Sequence, residues 1–581
     1  MKTIINFCVV VLAVSTFFSC KKSGSDPNPN PNPGPGDTTV FEPPVEPPLA
    51  NSIGFFLNDW QPKTFTVPAT MSASLPPVGG PIVEINPSAI ITKIPRSILS
   101  NNANLWMTQI VTENSLMNDI NNLHTGNLIR FPGGSISDVF FWNAQNHVNP
   151  ADAPDSLVRA NGTKTPAGYW YGKNSESWTL SVDNYYNLLQ QTGNKGLITI
   201  NYGYARYGTG TNPASSAAHL AADWVRYDNG RTKYWEIGNE NYGDWEAGYR
   251  IDLSQNQDGQ TEYVSGQLYG QHFKVFADSM RKAALEVGST IYIGAVMYES
   301  APQSWSTPTV VNWNSGLLPG AGSSPDFYVV HNYYTPYQTN ASVGEILATP
   351  FSVTRTMMNY VQQQISNAGL AIKPIVLDEW NIFSQGSMQQ VSNINGLHAT
   401  MVLGESLKNK FGLTARWDLA NNWDNGNDHG MFSQGNEPGV AKWTPRPAFY
   451  HMYYFQKMMG DRLVSSTVTG NSNIYSYASS YTSGQLGVAL VNTGSSSANL
   501  QVKFKNFVAG GKAYWYTLVG SNDNGDFSRK VIVNGSGPGQ VAGGPSDYAN
   551  VKAYSATITN SNAVNVTVPG WGAVYIVIEK D

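Results

Sequence analysis

Residues 233–240 read Lys-Tyr-Trp-Glu-Ile-Gly-Asn-Glu, and residues 374–381 read Pro-Ile-Val-Leu-Asp-Glu-Trp-Asn. Each is a short apolar run that stops in carboxylate and amide side chains. A strand covered on both faces reads as a continuous apolar run rather than an alternation. Six more runs of this kind occupy 98–106, 127–131, 196–201, 290–296, 327–332 and 414–419. Amphipathic stretches at 113–124, 182–192, 214–227, 267–287, 352–367 and 393–410 lie between them, and 447–459 follows the last. Eight buried strands separated by helices predict an α/β chain with a closed (β/α)8 TIM barrel over 95–460. No GxGxxG follows the first run and no GxxxxGK[ST] occurs, which removes the usual dinucleotide and phosphate-loop reasons for an open sheet.

Beyond residue 460 the pattern changes to short alternating segments at 474–478, 486–492, 500–504, 513–518, 564–568 and 573–578, punctuated by Gly, Ser and Asn. This predicts a C-terminal antiparallel β-sandwich over 461–581. The strand-like stretch 51–94 is expected to add a strand or two to it. Residues 21–50 are rich in proline and poor in apolar side chains, so an extended tether is expected there. Before it, Lys2 precedes an apolar run at 4–18, then Ser19 and Cys20. The run is too short to span a bilayer and reads as an export signal over 1–20. A Cys after a small residue resembles a bacterial lipoprotein cleavage site. That resemblance implies acylation of Cys20 and anchoring to the outer membrane on its periplasmic or outer side. A plain signal peptide with an incidental Cys is the alternative.

Charged residues are 13% of the 581, and aromatics are 12%; the charged share is about half the usual ~25%. A formal net charge of -5, without a Lys/Arg cluster, argues against a nucleic-acid partner. Many Trp, Tyr, Asn and Ser on a weakly charged chain suit a neutral polar ligand such as a carbohydrate. Cys8 and Cys20 are the only cysteines, which excludes a disulfide or thiolate chemistry in the folded body. None of the eight histidines forms an HExxH pair.

Function should gather at the C-terminal ends of the strands. Those ends carry Arg130-Phe-Pro-Gly-Gly134, Asn239-Glu240, His331-Asn-Tyr333, Asp378-Glu379-Trp380 and Trp417-Asp418. Two glutamates on the fourth and seventh strands face one another across the mouth. Cleavage of an acetal needs a proton for the departing oxygen and stabilisation of an oxocarbenium-like centre, and two carboxyls supply both. Glu236 and Asp378, deeper in the strands, read as structural partners.

The combination RFPGG (130–134), WEIGNE (235–240) and DEWN (378–381) resembles the retaining glycoside hydrolases of the large barrel clan, nearest the family 51 α-L-arabinofuranosidases. The likeness runs through most of 95–460, and the trailing sandwich matches that architecture. It implies Glu240 as acid/base, Glu379 as nucleophile, Arg130 beside the nucleophile, Asn239 on the substrate 2-hydroxyl, and His331 and Tyr333 near the nucleophile or substrate. Trp380, Trp417 and Trp423 are further candidates for sugar contact. The region after the first strand lacks the family's acidic binding pattern. The long loop 141–178, with Trp142, Trp170, Tyr171 and Trp178, could wall a polymer cleft. Asp424-Asn-Gly-Asn-Asp428 has a calcium-loop-like spacing without the terminal Glu, so no metal is expected. No cofactor is expected either, because acetal hydrolysis has no redox step. Three readings stay open: an α-L-arabinofuranosidase-like enzyme, an endo-β-glycanase or β-xylosidase-like enzyme of the same clan, and a surface glycan-binding lipoprotein without turnover.

Overall fold

The computed structural model describes residues 41–123 and 128–581. The export signal, Cys20, most of the tether and His124 lie outside the described residues. Eight parallel strands close into a barrel. They are β1 (Ser100–Asn102), β2 (Leu128–Phe131), β3 (Lys195–Ile200), β4 (Tyr234–Ile237), β5 (Tyr292–Val296), β6 (Phe327–Asn332), β7 (Ile375–Trp380) and β8 (Leu413–Arg416). β8 returns to β1 through Arg416 beside Asn101, which completes the ring.

The helices after these strands are α1 (Asn114–Leu123), α2 (Val182–Thr192), α3 (Pro213–Asp228), α4 (Gly266–Glu286), α5 (Pro308–Ala321), α6 (Val343–Asn367), α7 (Asn393–Lys408) and α8 (Pro447–Met458). Two differ from the expectation. α5 has no counterpart in the expected helices, since Gly316, Pro319 and Gly320 weaken its local signal. Those small residues let it lie against α4, where a side chain at Gly316 would meet the backbone of Gln267 at 2.6 Å. α6 starts at Val343 rather than 352, fixed by a Ser342–Glu345 capping box, and carries Pro350 in its interior.

The segment 51–94 serves two places, not one. Ile82–Lys93 pairs antiparallel with Arg462–Thr469 and parallel with Ala498–Phe504, inside an eleven-stranded sheet. That sheet curls so that Val83 and Val502 share a core with Val566 and Ile576, which makes the sandwich. Earlier, the short 3-10 helix Gly54–Leu57 seals the N-terminal end of the barrel. Phe55 stacks on Tyr292 at 3.9 Å and Phe56 on Tyr234 at 5.0 Å. Ile375 N–H donates to the Ser52 carbonyl at 2.9 Å. The end of the proline-rich stretch is also held: Val45 bridges to Ala89, and Glu46 pairs with Lys93 and Arg462.

α7 is buried almost throughout because it lies between barrel and sandwich. Thr400 and Tyr575 share a hydroxyl contact of 2.6 Å, and His451 is held between Tyr575 and Asn393. No described helix is long and apolar enough to cross a membrane. With one end sealed, the opposite, C-terminal end of the strands is left for a ligand.

The aromatic seal predicts a measurable cost. Phe56→Ala should lower unfolding stability by about 3–5 kcal/mol, read as a fall in the urea midpoint at unchanged slope. A midpoint equal to the parent's would show that the seal adds nothing.

Candidate active site

Arg130, the third residue of β2, is fully buried at the bottom of the mouth. Its Nε and Nη2 donate to the two oxygens of Glu236 at 2.7 and 3.2 Å. Nη1 donates to Glu379 Oε2 at 2.9 Å and to Asn102 Oδ1 at 3.1 Å, and Nη2 also reaches Asn239 Oδ1 at 2.8 Å. One planar guanidinium therefore ties β1, β2, β4 and β7 together. Burial opposes its charge, but Glu236, Asp378 and Glu379 outweigh that and keep it protonated.

The strand pairing explains how consecutive acids on β7 share this space. Val330 of β6 faces Leu377, yet His331 faces Glu379, so Asp378 is the extra residue of a bulge. A bulge re-aims side chains that would otherwise alternate across the sheet. Asp378 Oδ1 comes within 3.1 Å of His331 Nε2, while Glu379 Oε1 accepts from Tyr333 Oη at 2.7 Å. Tyr333 is kept in place by stacking on Phe383 at 4.2 Å.

Glu240 ends the turn after β4. Its φ of 44° is left-handed, a conformation uncommon for a non-glycine residue. Gly238 before it, at φ 77°, has no room for a side chain, because a Cβ would fall 1.9 Å from Asn241 Oδ1. This turn brings Glu240 Oε1 to 2.9 Å from His331 Nδ1. A carboxylate oxygen of Glu240 and one of Glu379 lie within 4.8 Å of each other. Behind them Asp138 anchors the turn, accepting from Gly203 N at 2.9 Å and Asn241 Nδ2 at 2.7 Å.

Burial pushes the Glu379 carboxyl above its ordinary range, and the pulls of His331, Arg130 and Tyr333 do not cancel it. Arg130 was expected to favour the ionised form; it does so, but burial is the larger effect. Burial likewise raises Glu236 to about 7 and Glu299, three residues past β5, to about 7. For His331 burial acts downward, yet Glu379, Asp378 and Glu240 hold the imidazole well above its usual value. Arg130 and His331 thus stand among Glu236, Glu240, Asp378 and Glu379, and positive charge placed there offsets the mutual repulsion of these four acids.

Glu236, His331 and Asp378, or Glu240, His331 and Glu379, offer atoms close enough for a metal ion. His331 is common to both trios, and the Arg130 guanidinium already occupies Glu236 and Glu379. In the loop 424–428 the two Asp428 oxygens are taken by the backbone N–H groups of Asp424 and Gly426.

The aromatic candidates separate. Trp417 lies at the mouth with its ring over Gly133 and Gly134; a Cβ on Gly134 would sit 2.6 Å from that ring. Trp106 packs edge-on against both Trp417 and Trp170, and Trp170 against Trp178, giving a row that leads outward. Trp380 is a correction: it is 0% exposed and turned towards His398 of α7, because the residue after an inward Glu379 points to the helix layer. Trp142 is core too, stacked on Trp224 at 5.5 Å. Trp423 is half-buried in its loop, near the Arg529 guanidinium of the sandwich. Asn239 is buried with both amide ends engaged, to Arg130 and to Glu246 Oε1 at 3.1 Å. Reading the sequence missed Asn102, Asp138, Glu246, Glu299 and Trp245, whose indole N–H donates to Glu240 Oε2 at 3.1 Å. Only Trp245 carried a usable signal, an indole five residues after Glu240 in a glycine-bearing turn.

A cavity of about 740 Å³ under the strap 61–66 is lined by Lys63, Tyr453 and Lys457. It holds none of the strand-end acids.

No protein-family model and no curated protein matches the chain. Solved structures do. An α-L-arabinofuranosidase from Thermotoga maritima, in an arabinose complex, is 18% identical with a TM-score of 0.60, over 86% of this chain and all (100%) of that one. The family 51 α-L-arabinofuranosidase of Thermotoga petrophila gives 18%, 0.59, and the same coverage of 86% and 100%. A family 44 xyloglucanase from Paenibacillus polymyxa gives 11% and 0.52, over 86% and 99%. At these identities the likeness is one of fold: a (β/α)8 barrel with an attached sandwich.

The electrostatics predict distinct histidine titrations. A raised folded-state pKa makes the His331 contribution to stability complete below the unfolded value near ~6.5. It is lost as pH climbs through the folded value. Nitrogen-15 histidine spectra at pH 7.5 should show His331 as imidazolium. His398, His429 and His451, each lowered to about 3 by burial, should stay neutral at pH 5. A neutral His331 at pH 7.5 would contradict this balance of two cations against four acids.

Proposed function

We propose that this protein is a retaining glycoside hydrolase with Glu379 as nucleophile and Glu240 as acid/base. The observation that carries it is the pair of carboxylates within 4.8 Å across the barrel mouth. Retaining enzymes hold the two groups ~5–5.5 Å apart, whereas inverting ones leave ~6.5–9.5 Å for a water. In the first step Glu379 attacks the anomeric carbon, the glycosidic C–O bond breaks, and the departing oxygen takes the Glu240 proton. In the second, water attacks the same carbon, Glu240 takes its proton, and the Glu379 ester bond breaks. Arg130 and Tyr333 hold the nucleophile from two sides, and His331 orients Glu240. The reaction uses groups that the chain itself supplies.

For substrate, the reading is a plant or algal polysaccharide fragment cleaved in the manner of an α-L-arabinofuranosidase. The DEWN motif supports it, as do the arabinofuranosidases among the structural neighbours. A second reading, an endo-acting glycanase, has its own support in the aromatic row from Trp417 to Trp178 and in the xyloglucanase neighbour. Export and anchoring through a lipid on Cys20 belong to the same proposal and rest on residues 1–20.

Two experiments test the reading. Glu379→Ala should abolish accumulation of a glycosyl-enzyme intermediate with a slow 2-fluoro glycoside. Glu240→Ala should lose about 10²–10⁴-fold on natural linkages but keep the glycosylation step on activated aryl glycosides. An intermediate on another residue, or equal damage to both substrate types, would overturn the assignment.

A pH test follows from the Tyr333 contact. Removing the donor in Tyr333→Phe takes away a hydrogen bond that favours the ionised nucleophile. The low-pH limb of kcat/KM should move to higher pH, with the high-pH limb in place. A limb that stays put would remove Tyr333 from the control of Glu379.

A further inference from the structure

The cavity of about 740 Å³ lies away from the mouth. Its walls are the segment 94–99 that leads into β1, the last turn of α8, and the strap 61–66. β1 begins and α8 finishes at the sealed end of the barrel, opposite the strand-end acids. The volume falls within the ~300–1,000 Å³ usual for small-molecule sites. Beyond the strap, a second cavity of about 530 Å³ shares Lys63 and Lys457 with the first.

Lys457 is the unusual group here. Among the described residues its ammonium makes no hydrogen bond and no ion pair. The rings of Tyr453, Tyr454 and Tyr516 stand 5.4, 5.9 and 5.1 Å from it and are its partners. Burial lowers its pKa, and no acid opposes that pull. Lysines removed from water are normally paired. Tyr453, one turn earlier on the same face of α8, has a hydroxyl that also lacks a hydrogen-bond partner among the described residues. Two unused donors, one of them charged, therefore border one cavity.

The rest of the lining selects what they would hold. Lys63 Nζ donates to the carbonyls of Gln456 and Met459 at 2.5 and 2.6 Å, so a second ammonium is fixed beside the cavity. Arg96 brings a third positive charge to the rim. The single acid of the lining, Asp461, is already held by Arg462 at 2.8 Å and Thr482 Oγ1 at 2.6 Å. This balance favours an anion. Ile94 and Leu99, both half-buried, supply apolar surface, and the exposed Gln61 and Asn122 supply amides. A free phosphate would leave the apolar surface unused, and an acyl chain would leave the amides unused. A carboxylate on a ring with an apolar face and hydroxyl edges uses both, and a uronic acid is such a ring.

We propose that this cavity is a second ligand site, which takes uronic-acid units of a polysaccharide and binds the sugar carboxylate through Lys457 and Tyr453. The pyranose C–H face lies on the Ile94 and Leu99 surface, and its hydroxyls meet the rim amides. Because the site is at the sealed end, binding there does not require turnover at the mouth.

The test is calorimetric titration of the full chain with a galacturonic acid trisaccharide, its neutral galactose counterpart and laurate. The acidic trisaccharide should bind and the other two should not. Lys457→Gln should weaken it by about tenfold or more, and Tyr453→Phe by about fivefold. Lys457→Arg, which keeps the charge, should retain most of the affinity, and Glu379→Ala should bind as the parent does. On the parent chain the same trisaccharide should slow acetylation of Lys457, read by mass spectrometry, a measurement that needs no variant to fold. Absence of binding by the acidic trisaccharide would overturn the proposal, as would binding without protection of Lys457. Equal binding of the neutral sugar would overturn the role of the carboxylate, and tighter binding of laurate would overturn the assignment to a sugar.

Discussion

The buried guanidinium of Arg130 is the interaction on which the rest of the site depends. A charge placed at the bottom of a barrel costs several kcal/mol in lost hydration unless it is paired and hydrogen-bonded. This one meets Glu236, Glu379, Asn102 and Asn239 within 3.2 Å. The pairing sets where β1, β2, β4 and β7 can stand relative to one another. The same ion then fixes the electrostatics. It leaves Glu379 with one oxygen bound to a cation and the other to Tyr333. It also leaves His331 as the second cation among the acids.

Around that charge the chain spends local irregularity where the site needs it. The bulge at Asp378 lets two successive carboxyls enter the mouth. The left-handed turn at Glu240 lifts the acid over His331. Gly134 leaves space for Trp417. Outside the mouth, regular structure resumes: aromatic packing seals the lower end through Phe55 and Phe56, and α7 is clamped between barrel and sandwich. Rigid surroundings of this kind are what hold two carboxyls within a few ångströms without letting them relax apart.

The barrel was legible because buried parallel strands are nearly unbroken apolar runs, and because polar residues end them on one side only. Glu240, Glu379, Arg130, His331 and Tyr333 were found as strand-end residues, and the structure brings all five together with Asn239 and Trp417. Trp380 was misread because strand ends alternate, and a motif does not say which neighbour faces the helices. Asp138 and Glu246 could not be read at all: Asp138 acts on residues 65 and 103 positions away, Glu246 lies in the turn just after Glu240, and a lone carboxylate outside the strand ends has no pattern. The role of Gly54–Leu57 was hidden for a similar reason, since a four-residue helix has no period. α5 was lost to its own glycines, whose purpose is close approach to α4.

The central proposal is that Glu379 attacks the anomeric carbon itself while Glu240 serves as acid in the first step and base in the second, rather than the two acting on a water held between them. The most direct measurement is proton NMR of the anomeric signal of the first product during cleavage, before mutarotation. The released sugar should appear with the same anomeric configuration as the substrate. Appearance of the opposite anomer first would contradict the double displacement.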